Sequence, residues 1–248
     1  MKTAVIFAGH LRHFSRCFAN QHWFVFRKLE DPHFFISTGL DPADADAAIL
    51  HDRYDESRVK IERVSQPHLP EPDISLGIGA PFANDPEKYM AISHAQGVLR
   101  GLWHLDRAWS FLAQTSNPEQ FGKFVLMRGD IHFHGWEQPA APVLPGEAHL
   151  PWWGNYGGVN GSSGVFGRQA IESYLTAFSH LDGILADGCP FHPESIVCYA
   201  MERDGCQIHR TLGSEFAFVR ENGLEHMVVL PHELARYTAS LITHARDH

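Results

Sequence analysis

The order of apolar and polar positions along the first quarter of the chain predicts alternating strands and helices. An apolar run, Thr3–Ala8, ends at Gly9 and is typical of a buried first strand. Apolar residues then recur at near-helical spacing over Phe14–Leu29, which predicts a helix. Further strands are predicted over His33–Thr38 and Arg58–Val64. This rhythm is typical of a parallel sheet whose strands are joined by crossover helices.

The rest of the chain continues the alternation after a long proline-rich loop over residues 65–86. The predicted helices are a weak one over Asp44–Ser57, a long amphipathic one over Glu87–Gln114, two later ones at Ile171–Phe178 and from Pro193, and a helical tail. Strands are predicted over Lys123–Met127, near Gln207 and over Phe216–Arg220. Between them lie a proline-rich connection, Pro139–Pro151, and a glycine-rich segment, Trp152–Gly167. Together these elements predict a single α/β domain over residues 1–248, with a central, mostly parallel sheet flanked by helices.

Composition narrows the class of protein. The 248 residues are 44% hydrophobic and 20% charged, which is ordinary for a folded domain. The formal net charge is -9, so the chain lacks the overall positive charge that is typical of a generic duplex DNA binder. The four cysteines form no C-x-x-C pair, so we expect reduced thiols and no zinc knot. Without a signal-peptide core or an apolar run of about 18 residues, we predict a cytoplasmic protein with no membrane span.

The first candidate for chemistry follows the predicted strand that ends at Met127. It reads Arg128-Gly129-Asp130-Ile131-His132-Phe133-His134. Ligands of α/β folds bind at the carboxyl ends of strands, and residues two apart in an extended chain point to the same side. Asp130, His132 and His134 could therefore converge on Mn²⁺ or a similar divalent ion, which would bridge a diphosphate. The alternative is a loop with exposed polar groups.

A second candidate, Gly9-His10-Leu11-Arg12, follows the first strand. Glycine lets the backbone approach a phosphate, the helix that follows favours an anion at its N-terminus, and Arg12 adds a fixed charge. Both the dinucleotide fingerprint and the P-loop motif are missing here. A structural turn is therefore the alternative interpretation.

A third candidate is the glycine-rich segment that starts at Trp152. Aromatic rings beside glycines and amides suit a sugar and its hydroxyls, so Trp152, Trp153, Asn155 and Asn160 are candidates for an acceptor and sugar pocket. The alternative is a loop packed around two core tryptophans.

The fourth candidate is Glu194 in the sequence His192-Pro193-Glu194, at the start of a predicted helix. Its carboxylate could act as a general base for an acceptor hydroxyl. The alternative is a capping role, because the helix dipole favours a carboxylate in the first turn.

In this order, the motifs resemble those of bacterial and viral GT-A-type glycosyltransferases that build polysaccharides. The similar segments are Ala8-Gly9-His10-Leu11-Arg12 with Phe14, Cys17 and Asn20; Asp130-Ile131-His132 in place of D-x-D; Asn160–Gly167 in place of N-D-x-F-x-x-G; His192-Pro193-Glu194 in place of H-P-E; and a late strand, Phe216–Arg220, that ends in arginine. Gly161 departs from the pattern, because an aspartate is usual at that position.

The resemblance implies a donor-binding half over about 1–134 and an acceptor half over about 135–248. A nucleotide sugar would lie near Gly9, His10 and Arg12, with Arg128 supporting the phosphates or the donor sugar. Glu194 would take the acceptor proton in an inverting reaction, and a retaining mechanism would apply if Glu194 lay far from the reacting carbon.

The same resemblance implies that Asp130 and His132 hold Mn²⁺ or Mg²⁺, with a third ligand from among His209, His226 and His232. The acceptor would be the hydroxyl of a glycan or of a modified base in DNA.

Two other classes remain open from the sequence. One is a metal-dependent hydrolase or nucleotidyltransferase with Asp130, His132 and His134 as ligands. The other is a non-catalytic sugar- or nucleotide-binding protein with a degenerate transferase fold, which the glycine at position 161 favours.

Overall fold

The computed structural model of the chain describes residues 1–40, 47, 49–69, 92–139, 142–154, 158–211, 215–220 and 223–226. Of residues 92–94 and 223–226 it describes the backbone. The strands are β1 Lys2–Ala8, β2 Pro32–Thr38, β3 Val59–Arg63, β4 Phe121–Met127, β5 Ile131–Gly135, β6 Glu147–Pro151, β7 Ser163–Phe166, β8 Gln207–Thr211, β9 Glu215–Arg220 and β10 Gly223–His226. The α-helices are α1 Phe14–Phe24, α2 Ile92–Thr115, α3 Arg168–Leu175, α4 Leu181–Ala186 and α5 Pro193–Arg203.

The main sheet has seven strands in the order β3-β2-β1-β4-β7-β6-β8. Strands β3, β2, β1 and β4 are parallel, with Val5 of β1 opposite Phe34 of β2 on one side and Val125 of β4 on the other. Strand β7 runs antiparallel between β4 and β6, and β6 pairs in parallel with β8. The predicted α/β fold with a central, mostly parallel sheet is therefore confirmed.

Alternating side chains of β1 are buried on both faces of the sheet. Ile6 packs with residues of α2, α3, α4 and α5 in one apolar cluster. Val5 and Phe7 pack with residues of α1, β5 and β9 in a second cluster. The two clusters explain the continuous apolar run of the first strand, because a strand covered on both faces has no polar side.

A second, antiparallel sheet of β10, β9 and β5 was not predicted. One edge of β5 is completed by a helix side chain instead of another strand. The backbone N–H of Phe133 donates to Oδ1 of Asn20 over 2.6 Å, and Nδ2 of Asn20 donates to the Phe133 carbonyl over 2.9 Å. Asn20 therefore fixes α1 against β5.

Several predicted elements need correction. The segment taken as a proline-rich connection contains β6, and the glycine-rich segment contains β7. Both strands are too short to show a clear period, and their pairing with neighbours decides their conformation. The first predicted helix ends earlier than expected, at Phe24, and a separate 3-10 turn, Phe26–Lys28, follows it. Residues 223–226 form a strand where a helical tail was predicted.

Other predictions fall partly or wholly outside the described residues. They are residues 44–46 and 48 of the predicted weak helix, residues 70–86 of the proline-rich loop, residues 87–91 of the long helix, and the tail after 226. The described part of the predicted weak helix, residues 47 and 49–57, forms turns and 3-10 segments and no α-helix, so that prediction was wrong there. Among the helices that the structure describes, none is long and apolar enough to cross a membrane.

Candidate functional site

The loops after β1 and β4 meet at the carboxyl edge of the main sheet. Strand order reverses at β1, which pairs with β2 on one side and β4 on the other, and ligands of open α/β sheets bind at such a switch point. Gly9 has a φ of +83°, and its N–H donates to the Ser37 carbonyl over 2.9 Å. A Cβ at Gly129 would lie 3.1 Å from Cα of Leu11, so glycine permits the close approach of the two loops.

The carboxylate of Asp130 lies between two arginines. It accepts hydrogen bonds from Nε and Nη2 of Arg128 over 2.9 and 2.8 Å, and from Nη1 of Arg220 over 2.7 Å. Both guanidinium groups also lie over the ring of Phe218, at 4.6 and 4.9 Å from its centroid. We call Arg128, Asp130 and Arg220 the Arg–Asp–Arg cluster.

Charge and burial act in opposite directions on Asp130. Burial raises the pKa of its carboxyl, but the hydrogen bonds and charges of Arg128 and Arg220 outweigh burial and leave the pKa below the ordinary 3.8. The carboxylate is therefore ionised at neutral pH, and the cluster carries two positive charges and one negative charge. Its side chains differ in access, because Asp130 is 3% exposed while the arginines are 48% and 41% exposed.

Helix α1 and β9 hold the loop that carries Asp130. Nε2 of Gln21 is buried and donates to the carbonyl groups of Gly129 and Ile131, each over 2.9 Å. The backbone carbonyl of Asp130 accepts from the N–H of Val219 over 2.8 Å, which places the next residue, Arg220, beside the carboxylate. The cluster is therefore preorganised by backbone contacts.

Glu194 lies in the first turn of α5, directly after Pro193, and its side chain is 24% exposed. Burial raises the pKa of its carboxyl to about 7, although its own backbone N–H and the charge of Arg128 act to lower it. Oε2 of Glu194 lies 3.1 Å from Nδ1 of His192. A carboxyl group with a pKa near neutrality can exchange a proton with a substrate at physiological pH. The charge of Arg128 therefore lowers the pKa of both carboxyl groups, that of Glu194 and that of Asp130.

The loop before β7 packs directly on the start of α5. The N–H of Val159 donates to the backbone carbonyl of Glu194 over 3.1 Å, and a Cβ at Gly158 would lie 1.9 Å from that oxygen. A side chain at position 158 would therefore displace the turn that carries Glu194. The glycine is required by close packing.

The predicted sugar pocket makes internal contacts in the structure. Nδ2 of Asn160 donates to the Trp153 carbonyl over 2.8 Å, and Oδ1 of Asn160 accepts from the Ser162 N–H over 2.9 Å. Asn160 and Trp153 are buried, whereas Trp152 is half-buried. Asn160 therefore shapes this loop, and a sugar-binding role for these side chains stays a prediction. Asn155 lies outside the described residues.

Position 161, where the resemblance leads to an aspartate, has no room for a side chain. A Cβ at Gly161 would lie 2.5 Å from Oη of Tyr174, which is fully buried on α3. The departure from the family pattern is thus built into the packing of this chain.

The remaining predicted donor residues lie at the same edge of the sheet. His10 and Arg12 are exposed in the loop after β1. The ring of His10 lies 6.1 Å from the ring of His104, a buried residue of α2. Their contact with a nucleotide stays a prediction.

The predicted metal ligands do not form a converging set. His132 and His134 lie on β5 with ring centroids 5.6 Å apart, and Nδ1 of His132 is 3.4 Å from Nδ2 of Asn20. Both oxygens of Asp130 already accept hydrogen bonds from guanidinium groups, whose positive charges oppose a cation. Asp130 and His132 therefore do not fit a divalent ion in this arrangement, and we derive no reaction step through one.

A different group of possible ligands does converge within the part of the chain that the structure describes. Glu147, His149 and His209 each offer a donor atom, and these atoms lie within 4.8 Å of one another. His209 was one candidate for a third ligand, whereas Glu147 and His149 were missed. The Glu-x-His spacing was the available signal, but the strand that carries it was not predicted. The side chain of His226 and all of His232 lie outside the described residues.

No known family model matches the chain, and no curated protein is significantly similar to it.

Proposed function

We propose that the chain is a glycosyltransferase that moves a sugar from a nucleotide-sugar donor to a hydroxyl acceptor. The observation that carries this proposal is Glu194, a half-buried carboxyl whose pKa is raised to about 7 and which feels the positive charge of Arg128. A base and an anion-binding group at the switch point of an α/β sheet are the two functions that such a transfer needs.

The Arg–Asp–Arg cluster supports the donor half of this proposal. Its excess positive charge and half-exposed guanidinium groups suit the diphosphate of an activated sugar, because arginine binds phosphate through paired N–H groups. The loops at Gly9 and Gly129 bring backbone close to the same edge.

In the reaction that we propose, the acceptor oxygen attacks the anomeric carbon of the donor while its proton passes to Glu194. The bond from that carbon to the diphosphate oxygen breaks, and its electron pair stays on the leaving nucleoside diphosphate. Arg128 and Arg220 stabilise the charge that develops there. A glycan hydroxyl is the acceptor we favour over a modified DNA base, because the net charge is -9.

A second candidate is a non-catalytic sugar- or nucleotide-binding protein. The packing of Tyr174 against Gly161 favours it, because it leaves no space for the acidic side chain usual at that position.

The test uses the full chain, a thermal-shift screen of UDP-, GDP- and CMP-sugars with and without Mn²⁺, and an assay for nucleotide release. A ligand that binds the folded state raises the melting temperature. Glu194→Gln should retain binding and lose turnover by about 10²- to 10⁴-fold, the usual contribution of a general base. Glu202→Gln changes an exposed residue of the same helix and should leave turnover unchanged.

Equal turnover of the two variants would contradict the role of Glu194. The absence of any thermal shift with nucleotide sugars would contradict the donor class. Binding without any turnover in the unmodified chain would favour the binding protein.

A further inference from the structure

The side chains of β6 and β8 bring one carboxylate and two imidazoles together on one face of the main sheet. Glu147 and His149 are two residues apart on β6, so they project to the same side of the strand. The parallel pairing places His209 of β8 directly beside His149, and their rings stack at 4.7 Å with an interplanar angle of 20°. Ala148 and Leu150 point to the opposite face, into the apolar cluster with α2 and α3.

No close hydrogen bond joins the carboxylate of Glu147 to either imidazole. Nε2 of His149 lies 3.8 Å from Oε2 of Glu147, and Nε2 of His209 lies 3.7 Å from Oε1. Both distances exceed the usual range for a hydrogen bond. Nε2 of His149 is inaccessible to solvent and has no hydrogen-bond partner among the described residues. A buried ring nitrogen without a hydrogen-bond partner is a lone pair or a donor that a bound group between the three side chains would satisfy.

The spacing suits a metal ion. In a tetrahedral site with bonds of about 2.0–2.1 Å, donor atoms are about 3.3–3.5 Å apart. The two nitrogen–oxygen distances of 3.8 and 3.7 Å exceed this spacing by only a few tenths of an ångström. The carboxylate is already oriented, because Oε2 of Glu147 accepts a hydrogen bond from the Leu144 N–H over 2.9 Å. Such a tie is typical of the groups that support metal ligands.

We propose that Glu147, His149 and His209 bind one divalent transition-metal ion, with Zn²⁺ as the best fit. Two imidazoles and one carboxylate form a recurrent zinc ligand set, in which water fills the fourth position. Mg²⁺ and Ca²⁺ prefer oxygen ligands alone and fit this set poorly. His209 is 45% exposed, which leaves a path for the ion and for the water.

This site is separate from the Arg–Asp–Arg cluster. Glu147 begins β6, whereas the cluster follows the end of β4. Strands β4 and β6 run in the same direction, because each is antiparallel to β7 between them. The metal site therefore lies toward the opposite edge of the sheet, where the ion would join β6 to the terminal strand β8.

The experiment measures Zn²⁺ binding by equilibrium dialysis of the full chain after removal of metal with a chelator. We expect one tightly bound ion per chain, and a loss of affinity of at least about tenfold in His149→Ala, His209→Ala and Glu147→Gln, since loss of even a supporting group costs that much. His132→Ala and His134→Ala are the controls and should bind Zn²⁺ unchanged. Co²⁺ in place of Zn²⁺ should give the visible absorption of a tetrahedral nitrogen–oxygen site, and His209→Ala should remove it.

Circular dichroism of each metal-free variant separates misfolding from ligand loss, and the exposed His209 gives the variant least dependent on packing. Absence of tight Zn²⁺ binding, or equal affinity in folded His209→Ala and the unmodified chain, would overturn the proposal. Loss of binding in His132→Ala instead would place the ion on β5 and overturn it as well.

Discussion

Two clusters in this molecule each combine one carboxylate with two basic side chains, yet their geometries differ. In the Arg–Asp–Arg cluster, the donor–acceptor distances are 2.7–2.9 Å. In the Glu147–His149–His209 group, the nitrogen–oxygen distances are 3.7 and 3.8 Å. The first cluster is closed by its own hydrogen bonds, and the second keeps a gap between its polar atoms.

The difference follows from the chemistry of the nitrogen groups. A guanidinium group is always charged and has only N–H donors, so two of them around a carboxylate leave net positive charge and attract an anion. A neutral imidazole offers a lone pair, so two of them beside a carboxylate attract a cation. The same count of acidic and basic residues therefore favours opposite ligands at the two ends of the sheet.

The largest expected effect on stability comes from removing the carboxylate of the Arg–Asp–Arg cluster. Asp130→Ala leaves two guanidinium groups without their carboxylate, and we expect a loss of about 3 kcal/mol in the free energy of unfolding, the low end for a buried pair because both arginines are half-exposed. Urea denaturation of both proteins measures it. Asp182→Ala removes an exposed carboxylate from α4 and should cost less than about 1 kcal/mol. Similar losses in the two variants would show that the cluster is not a stabilising unit.

The next effect depends on pH and concerns Glu194. Its pKa is raised from 4.5 to about 7, so between these values the folded chain binds more protons than the unfolded chain. Stability should therefore fall as the pH rises through this window. The pKa difference corresponds to a fall of at most about 3 kcal/mol in the free energy of unfolding, and we expect about 2 kcal/mol because the side chain is partly exposed.

Urea denaturation at about pH 4 and about pH 8 checks this dependence, since those conditions lie on either side of the window. Glu194→Gln cannot ionise and should lack this part of the fall. A parallel pH dependence in the variant and the unmodified chain would assign the effect to other groups.

A smaller effect is expected on anion binding at the carboxyl edge. Arg220→Gln removes one charged donor, and we expect the Kd for a nucleoside diphosphate to rise about tenfold, equivalent to a charge-assisted hydrogen bond of about 1.5 kcal/mol. Isothermal titration calorimetry measures it. Arg168→Gln changes an arginine at the start of α3, near the opposite edge, and should leave the Kd unchanged. Equal values for the two variants would remove the cluster from the binding site.

The smallest effect on stability is expected in the Glu147–His149–His209 group when no metal is bound. His209 makes no close hydrogen bond to Glu147, so His209→Ala should change the unfolding free energy of the metal-free chain by no more than about 0.5 kcal/mol. Addition of Zn²⁺ should stabilise the unmodified chain and leave the variant unchanged. A large loss in the metal-free variant would show that the group already stabilises the sheet without an ion.

Much of the fold was predictable because long periodic segments depend little on distant residues. The apolar run of β1 and the stripe of α2 are visible in the sequence, as is the start of α5 at Pro193. Strands β6 and β7 were missed, because elements this short take their conformation from the strands beside them.

The candidate site was predictable only in part. A carboxylate after β4 and another at the start of α5 were predicted by position. The contact between Asp130 and Arg220 was not predicted, because Arg220 is 90 residues away along the chain and approaches only through the second sheet.

The sequence by itself determined the α/β class, the order of most elements and the positions where strands end in polar residues, because local periodicity and chain breaks set these features. Tertiary structure alone decided the surroundings of Asp130, Glu194 and Glu147. It placed two arginines on Asp130, partly buried Glu194 and brought His209 beside His149. The physical reason is that the charge, burial and ligand preference of a carboxylate depend on neighbours within a few ångströms, and folding brings those neighbours from distant parts of the chain.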